Sequence, residues 1–325
     1  MRVRRGYLGW GVFLILAGAV PLAVRSGYLT DDQISRLWNL WPLILVGIGV
    51  GLVLRRTRFD FVGGLIVAAT FGLMVGGLLS TGVGAVSSGS CGRDAGTTAF
   101  PTRDGTISGA GSVDLQLNCG NVTVAVGSGD AWQVTGQDAT GIGPDVTSSD
   151  KSLQVKSHDR DGAFWVFGKR DTWRVTLPDT PTLDIDLQLN AGSATVGLGG
   201  ATLGGFDLEL NAGSATIDLT SAKAIDGIDF GLNASSLGLT LPNLSMTGSI
   251  EANAGSVKLC APPGAGLRLR TGESIIASYD YSGHGLVQNG TTWTTPGFDT
   301  ASVQIDLRTT ANAGSFALDP EGGCD

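Results

Sequence analysis

The chain has 325 residues, which allows one to three domains, and its 51 glycines do not recur at every third position, which excludes collagen. The net charge of −8 is uneven, because the first 79 residues carry a net +5 and the remainder a net −13. A basic segment followed by an acidic remainder argues against nucleic acid as a partner.

Three long segments without charged residues occupy most of the first 80 residues: Tyr7–Val24, Leu37–Leu54 and Phe61–Leu79. As a helix, each would be roughly 27 Å long, which is close to the thickness of the bilayer hydrocarbon. The sequence therefore predicts a three-helix transmembrane region over residues 1–80, with the lipid bilayer as a partner. Because none of the three segments contains an ionisable side chain, a channel or pump is not expected.

Arginine clusters predict the orientation of this region. Arg2, Arg4 and Arg5 precede the first segment, and Arg55, Arg56 and Arg58 separate the second from the third. By the positive-inside rule both clusters are cytoplasmic, so we expect a multi-pass protein whose later residues lie outside the cytoplasm. The first segment could instead be a cleaved signal peptide, and the later residues would still lie outside.

Residues 81–100 are rich in glycine and serine and are interpreted as a linker. Four cysteines follow the third apolar segment: Cys91, Cys119, Cys260 and Cys324. None has the spacing of a zinc or redox site, and disulfides persist outside the cytoplasm. Three pairings are possible, of which the repeat described next favours Cys91 with Cys119 and Cys260 with Cys324, one bridge clamping each end of the domain.

Residues 101–325 contain six copies of one pattern, of which LQLNAGSATVGL at Leu187–Leu198 is the clearest. The central asparagines are 21, 22 and 20 residues apart, about one coil of a β-solenoid. Apolar residues alternate on both sides of each asparagine, as in strands with one buried face. The sequence thus predicts an all-β domain, a single-stranded β-solenoid-like stack of 20–22-residue rungs.

Each copy should turn just after its asparagine, where four of the six copies have a Gly-Ser pair and glycine allows unusual backbone angles. The copy at Asn233 has Ser235 in place of glycine, so its corner should differ. The asparagines would then stack as a ladder of hydrogen-bonded amides, which is a structural role; a row of ligand-binding asparagines is the alternative. The six residues are Asn118, Asn190, Asn211, Asn233, Asn253 and Asn312.

Alternating segments between the first and second copies are predicted to form the first, less regular coils. They are Val122–Val126, Trp132–Thr135, Leu153–Lys156 and Trp173–Leu177. The hydrophobic stretch Ala163–Phe167 is either a cap over the end of the stack or a docking patch.

An acidic column is predicted on the outward face, four positions before the asparagine, where the copies carry Asp114, Asp186, Asp207 and Asp229. Neighbouring strands lie about 4.8 Å apart, so carboxylates stacked at that spacing repel one another. The column is either a solvated acidic face or a site that binds a cation such as Ca²⁺ or a basic group through Asp186, Asp207 and Asp229.

Catalytic motifs are not apparent in the sequence. The two histidines, His158 and His284, are far apart, and there is no nucleophile elbow, phosphate loop or HExxH motif. We therefore expect a non-enzymatic protein without a cofactor or resident metal.

Two resemblances cover nearly the whole chain. GWGVFLILAG and LWNLWPLILVGIGVGLVLRR resemble the transmembrane region of LiaI- and LiaF-type bacterial envelope-stress proteins. WRVTLPDTPTLDIDLQLNAGS and WTTPGFDTASVQIDLRTTANAGS resemble the β-strand-repeat family described as "putative adhesins", which includes the C-terminal domains of LiaF-like proteins. The resemblance implies a membrane protein that restrains a sensor kinase until the envelope is damaged. The alternative is a structural or adhesive surface protein, and a neighbouring kinase and response-regulator gene pair would favour the first.

Overall fold

The computed structural model describes residues 10–15, 18–19, 42–54, 61–80, 97–158, 170–272, 277–282, 284–321 and 323–324. The chain divides into two compact units, Met1–Val86 and Ser87–Asp325. The arginine clusters at residues 2–5 and 55–58, residues 81–96 of the predicted linker, and the hydrophobic stretch Ala163–Phe167 lie outside the described residues.

The first unit is helical at residues 10–15 and 18–19, in α1 (Pro42–Leu54) and in α2 (Phe61–Ser80). Proline suits the first position of α1, because its nitrogen needs no hydrogen-bond partner there. The two helices meet at glycines: a side chain on Gly63 would overlap the backbone of Gly51, and one on Gly47 would lie 2.9 Å from Val67 Cγ2. Small residues thus let the two backbones approach closely.

The predicted three-helix transmembrane region requires correction. Within the part of the chain that the structure describes, no helix combines the length and the apolar character needed to cross a membrane. Helix α1 has 13 residues, whereas a membrane-spanning helix needs about 20. In the first predicted segment, the described helical residues are only 10–15 and 18–19. The prediction of three spanning helices is therefore wrong.

In the residues that the structure describes, the second unit is all-β apart from a 3₁₀ turn at Phe298–Thr300 and has eighteen strands. Its eighteen strands are β1 (Thr98–Ala99), β2 (Arg103–Thr106), β3 (Ala110–Leu117), β4 (Gly120–Gly127), β5 (Ala131–Asp138), β6 (Asp145–Ser149), β7 (Ser152–Lys156), β8 (Asp171–Pro178), β9 (Thr182–Leu189), β10 (Gly192–Gly197), β11 (Thr202–Asp218), β12 (Ala224–Thr240), β13 (Met246–Cys260), β14 (Gly266–Thr271), β15 (Ser278–Asp280), β16 (Val287–Asn289), β17 (Thr292–Thr294) and β18 (Gln304–Leu318).

The strands form one continuous sheet that turns a corner at the asparagine of each repeat. The part before the corner, here the first face, contains the parallel series β7, β3, β9, β11, β12, β13, β18 and β14. The part after the corner, the second face, contains β8, β4, β10, the later halves of β11, β12, β13 and β18, and then β15. Strands β11, β12, β13 and β18 run through the corner and belong to both faces.

The core lies between the two faces and is mostly aliphatic. Burial alternates along the strands of the repeats, so that Leu187 and Leu189 are buried on the first face and Val196 on the second. Phe206 and Phe230 fill the centre, with their ring centroids 5.1 Å apart in an edge-to-face arrangement. The alternation in the sequence and the alternation in burial agree, because every second side chain of a strand points to the same side.

The rungs at the two ends do not follow the order of the chain. Strand β3 pairs directly with β9, with Leu115 opposite Leu187, although the two residues are 72 positions apart. Of the segments predicted as first coils, Val122–Val126 lies in β4, within that rung, and the others lie on its outer side. Strands β7 and β8 extend the stack in parallel, β5 pairs antiparallel with β8, and β6 pairs antiparallel with β7. At the other end, β18 is inserted between β13 and β14. The prediction of a simple sequential solenoid is therefore corrected.

Aromatic side chains cover the core at the C-terminal end of the stack. Tyr279 stacks on Phe316 at 5.7 Å, and Tyr281 meets Trp293 edge-on at 6.0 Å. The Tyr281 hydroxyl bonds to Thr309 Oγ1 at 3.0 Å, and burial raises the pKa of Tyr281 well above its ordinary value. The Tyr279 hydroxyl accepts a hydrogen bond from the Ala311 N–H at 2.9 Å, which satisfies a backbone donor at the edge of the sheet.

Candidate functional site

The six predicted asparagines form one ladder along the corner. Asn190 donates from Nδ2 to Asn118 Oδ1 at 2.9 Å, and Asn211 donates in the same way to Asn190 at 2.8 Å. The same bond joins Asn233 to Asn211, Asn253 to Asn233, and Asn312 to Asn253. All five bonds run in the same direction, with the donor on the side of the C-terminal end of the stack. The side chains therefore bond to one another, as the structural interpretation of the sequence predicts.

Replacing Asn211 by aspartate is expected to lower the free energy of unfolding by about 1–3 kcal/mol, because the carboxylate cannot donate to Asn190 Oδ1 and leaves that acceptor unpaired. The midpoint of urea unfolding of the purified chain measures the loss. Asn243→Asp is the control, since Asn243 is exposed in a turn after β12. Equal midpoints for the two variants would contradict a stabilising ladder.

The acidic column lies in register on the first face. Asp114 is opposite Asp186, Asp186 opposite Asp207, and Asp207 opposite Asp229. The outer members have partners: Asp114 accepts a 2.7 Å hydrogen bond from Gln154 Nε2 and lies 3.6 Å from Lys156 Nζ, and Asp229 accepts one from Ser249 Oγ at 2.6 Å.

The two inner carboxylates repel their neighbours. Partial burial against the adjacent strands raises the pKa of Asp186, and the charges of Asp114 and Asp207 raise it further. Partial burial and the charge of Asp229 raise the pKa of Asp207 in the same way. In the described residues, no group of three or more His, Cys, Asp or Glu side chains is placed to hold a metal ion.

Replacing Asp207 by asparagine is expected to stabilise dilute protein at pH 7 by about 0.5 kcal/mol, or about 1–2 °C in melting temperature. A raised folded-state pKa means that the carboxyl contributes most below its unfolded pKa and that this contribution is lost as the pH rises through the folded pKa. The gain over wild type should therefore vanish as the pH falls below about 4.

Melting curves between pH 3.5 and 7, with Asp130→Asn as the control, measure this difference. If the gain in melting temperature of the Asp207→Asn variant does not depend on pH, repulsion between the carboxylates is not its cause. The same assay with millimolar Ca²⁺ against chelator tests the cation hypothesis, because an ion that binds only the folded state raises the melting temperature.

Basic residues occupy the C-terminal end of the same face. Arg270 contacts Asp306 at 2.6 Å, and Arg268 contacts Asp299 at 2.9 Å and Asp306 at 3.5 Å. The guanidinium of Arg268 also lies 3.9 Å from the ring centroid of Phe298. Arg308 is exposed on β18, between β13 and β14. The first face therefore carries acids on its middle strands and arginines on its last ones.

The second face carries small side chains and the C-terminal segment of the chain. Cys260 and Cys324 form a disulfide, which is the pairing that the repeat favours. Asp319 reverses the chain, donating from its N–H to Leu259 O at 2.7 Å and accepting from Ala261 N–H at 2.8 Å. Cys324 lies against β12, where a side chain on Gly238 would overlap its carbonyl oxygen. We call residues 319–321 and 323–324 the C-terminal strap.

The remaining predicted residues lie apart from this strap. Cys119, directly after the first asparagine of the ladder, is disulfide-bonded, and Cys91, its predicted partner, lies outside the described residues. His158 is exposed with Nδ1 3.1 Å from Asp145, and His284 lies in a different, later turn. The structure therefore does not bring the two histidines together in one site.

A buried aspartate, Asp138, was not singled out in the sequence. Burial raises its pKa, but hydrogen bonds from the backbone N–H groups of Thr140, Gly143 and Gly141 and from the Thr140 hydroxyl outweigh that effect and lower it. The signal that could have revealed it is the Asp-x-Thr-Gly pattern of DATG, which is typical of a turn closed by an aspartate side chain. Asp138 thus organises the loop after β5.

Comparisons with known proteins give two matches to family models. Residues 8–53 match the LiaI-LiaF-like transmembrane region, and residues 101–235 match the N-terminal domain of toast_rack, DUF2154. The resemblance found in the sequence is thereby confirmed, and the first match indicates a membrane protein. No curated protein matches the chain.

Among the solved structures that are similar to the chain are three bacterial proteins. A "putative cell adhesion protein" from Clostridium sporogenes is 13% identical with a TM-score of 0.48, covering 68% of this chain and 98% of its own. A "putative adhesin" from Bacteroides fragilis is 13% identical with a TM-score of 0.27, and one from Parabacteroides merdae 11% identical with a TM-score of 0.20; each covers 68% of this chain and 97% of its own. Similarities of this size carry no functional conclusion.

Proposed function

We propose that the chain is a membrane-anchored, non-enzymatic protein of the cell envelope that acts as a LiaF-like regulator of an envelope-stress sensor kinase. The observation that carries the proposal is the joining, in one chain, of a LiaI-LiaF-like segment to a disulfide-clamped β domain with two broad outward faces. The N-terminal unit would contact the kinase or another membrane protein, and the β domain would receive the signal.

Disulfide bonding supports an extracytoplasmic position for the β domain. Cys260 and Cys324 are bonded to each other and Cys119 is also oxidised. Such bonds persist outside the cytoplasm, where thiols are not kept reduced. Protease added to intact spheroplasts should therefore release a fragment of residues 87–325, and a fragment protected until lysis would contradict this position.

The use of polar side chains supports a binding role rather than catalysis. The ladder amides bond to one another, Lys156 faces Asp114, and Arg268 and Arg270 share Asp306. A catalytic base must instead keep hydrogen-bond reach to a substrate. These side chains stabilise the fold and give its surface charge, and a charged surface suits recognition of another macromolecule.

Deletion of the gene tests the regulatory role. The transcripts of the envelope-stress response should rise without antibiotic, because the kinase is no longer restrained, and the full chain supplied in trans should restore the low level. A chain whose N-terminal unit is replaced by an unrelated membrane anchor should fail to restore it. Unchanged transcripts with and without a cell-wall antibiotic would contradict the proposal.

A structural or adhesive surface role is the second candidate, favoured by the second face. Its outward hydroxyls Ser193, Ser214, Ser236 and Ser256 follow one another in register. Such a row offers a repeated hydrogen-bonding surface to an extended ligand. Loss of attachment on deletion, with stress transcripts unchanged, would select this candidate over the regulator.

A further inference from the structure

One row of outward side chains on the first face changes sign along the stack. Four positions before the ladder, six consecutive strands place their side chains in register, and we call these six residues the charge row. In spatial order they are Asp186, Asp207, Asp229, Ser249, Arg308 and Arg270. Acids occupy the first half of the charge row and arginines the end of the second.

Most charges of this row form no ion pair among the described residues; the exception is Arg270, which pairs with Asp306 at 2.6 Å and keeps about half of its side chain exposed. Asp207 and Arg308 are three strands apart, about 14 Å at the usual strand spacing, which is too far for an ion pair. Arg308 is exposed and has no ion-pair partner among the described residues. Asp186 and Asp207 face other carboxylates, and partial burial together with these charges raises the pKa of both. The acids and Arg308 therefore lack an oppositely charged partner in their own chain, and a second copy of the same surface would supply one.

We propose that the first face is the interface of a homodimer in which two copies meet face to face with their strand orders reversed. A twofold axis parallel to the strands produces this arrangement, because it keeps the strand direction and reverses the order of the rungs. Asp186 then faces the second copy's Arg270, Asp207 faces its Arg308, and Asp229 faces its Ser249. Each of these contacts occurs twice.

The neighbouring outward rows fit the same arrangement. Six positions before the ladder, Asp184 faces Arg268 of the second copy, Gly205 faces Asp306, and Gly227 faces Thr247. Two positions before the ladder, Glu209 faces Thr310 and Gly231 faces Glu251. No like charges are opposed in these pairs. The other face-to-face arrangement keeps the order of the rungs. It would place Asp186, Asp207 and Asp229 each opposite the same residue of the second copy.

The area of this surface is sufficient for a stable dimer. Six strands at about 4.8 Å and about six residues along each strand cover roughly 600 Å² per copy. Both copies together bury about 1,200 Å², which is at the lower end of specific protein interfaces. Gly205, Gly227 and Gly231 keep the centre of the surface flat, so that the two sheets can approach closely.

Sedimentation of the purified full chain in detergent, over a range of protein concentrations, tests the dimer. We expect a dimer whose dissociation constant rises by at least about tenfold between 50 and 500 mM NaCl, because salt screens exposed charge pairs. A wild-type chain that is monomeric throughout would overturn the proposal. If the chain is monomeric throughout and also binds a poly-lysine peptide, the acidic residues form a site for a basic partner instead of a dimer contact.

Charge reversal identifies the interface. Asp207→Arg and Arg308→Asp should each weaken the homodimer by at least about tenfold, since each sets like charges opposite one another twice. An equimolar mixture of the two variants should form a heterodimer, in which both contacts are again between opposite charges. The double variant in one chain should regain the homodimer for the same reason.

Lys151→Asp is the matched control, because Lys151 lies in the turn between β6 and β7, outside the six strands, and should leave the dissociation constant unchanged. If both single-reversal variants still form the dimer, the proposal is overturned. Association through the N-terminal unit alone would give this result. A mixture of the two reversals that stays monomeric overturns it as well.

Discussion

Replacing Gly192 by alanine is expected to lower the free energy of unfolding by about 3 kcal/mol, one of the two largest effects that we predict. Gly192 adopts φ 130° at the corner of the second repeat, where an L side chain is strained. A Cβ atom there would also overlap the carbonyl oxygen of Gly120 on the neighbouring rung. Because both rungs are held by parallel pairing, neither backbone can move away without breaking ladder hydrogen bonds.

Gly197→Ala is the control in the same strand, since a Cβ on Gly197 would meet no atom within 4 Å, and its effect should stay within about 0.5 kcal/mol. Urea unfolding of the purified chain, followed by the fluorescence of the buried Trp132 and Trp173, measures both variants. If Gly192→Ala and Gly197→Ala unfold at the same urea concentration, the corner does not depend on glycine.

Removing the Cys260–Cys324 disulfide is expected to destabilise the β domain by about 2–5 kcal/mol. The bond closes a separation of 64 residues, so the unfolded chain gains considerable freedom when it is absent. The double variant Cys260→Ser with Cys324→Ser should also release the C-terminal strap from Gly238. The midpoint of urea unfolding under oxidising conditions measures the loss.

Ser256→Ala with Ser315→Ala is the control, because it changes two hydroxyls on the same face without a covalent bond. Faster proteolysis near residue 319 in the cysteine variant, and not in the serine variant, would report release of the strap. An unfolding midpoint equal to that of wild type would show that the bond adds nothing to stability.

Repetition made part of this fold predictable. Asn190, Asn211, Asn233 and Asn253 recur at nearly one interval, and parallel pairing in register then brings identical side chains together. The same logic places Asp186, Asp207 and Asp229 in one row. Local alternation also predicts the core, because Leu187, Leu208 and Phe230 are apolar at equivalent positions and are buried.

Long-range order was not predictable from the same signals. The insertion of β18 between β13 and β14 depends on pairing across 59 residues, from Asn253 to Asn312, and no local pattern encodes it. For this reason Arg308 and Arg270 could not be recognised as a continuation of the acidic column. Hydropathy likewise reports the length of apolar segments, whereas the described helical residues in the first of them are only 10–15 and 18–19.

The insertion of both end rungs sets the order in which the β domain can fold. Strands β11, β12 and β13 pair with neighbours about 20 residues away, so their loops close at little entropic cost. Strands β3 and β18 must wait for segments that are 72 and 59 residues distant. Contacts of such long sequence separation form slowly. We therefore expect the stack to nucleate at its centre and to grow outward, so that a nascent chain would complete its first rung only after the second has been synthesised.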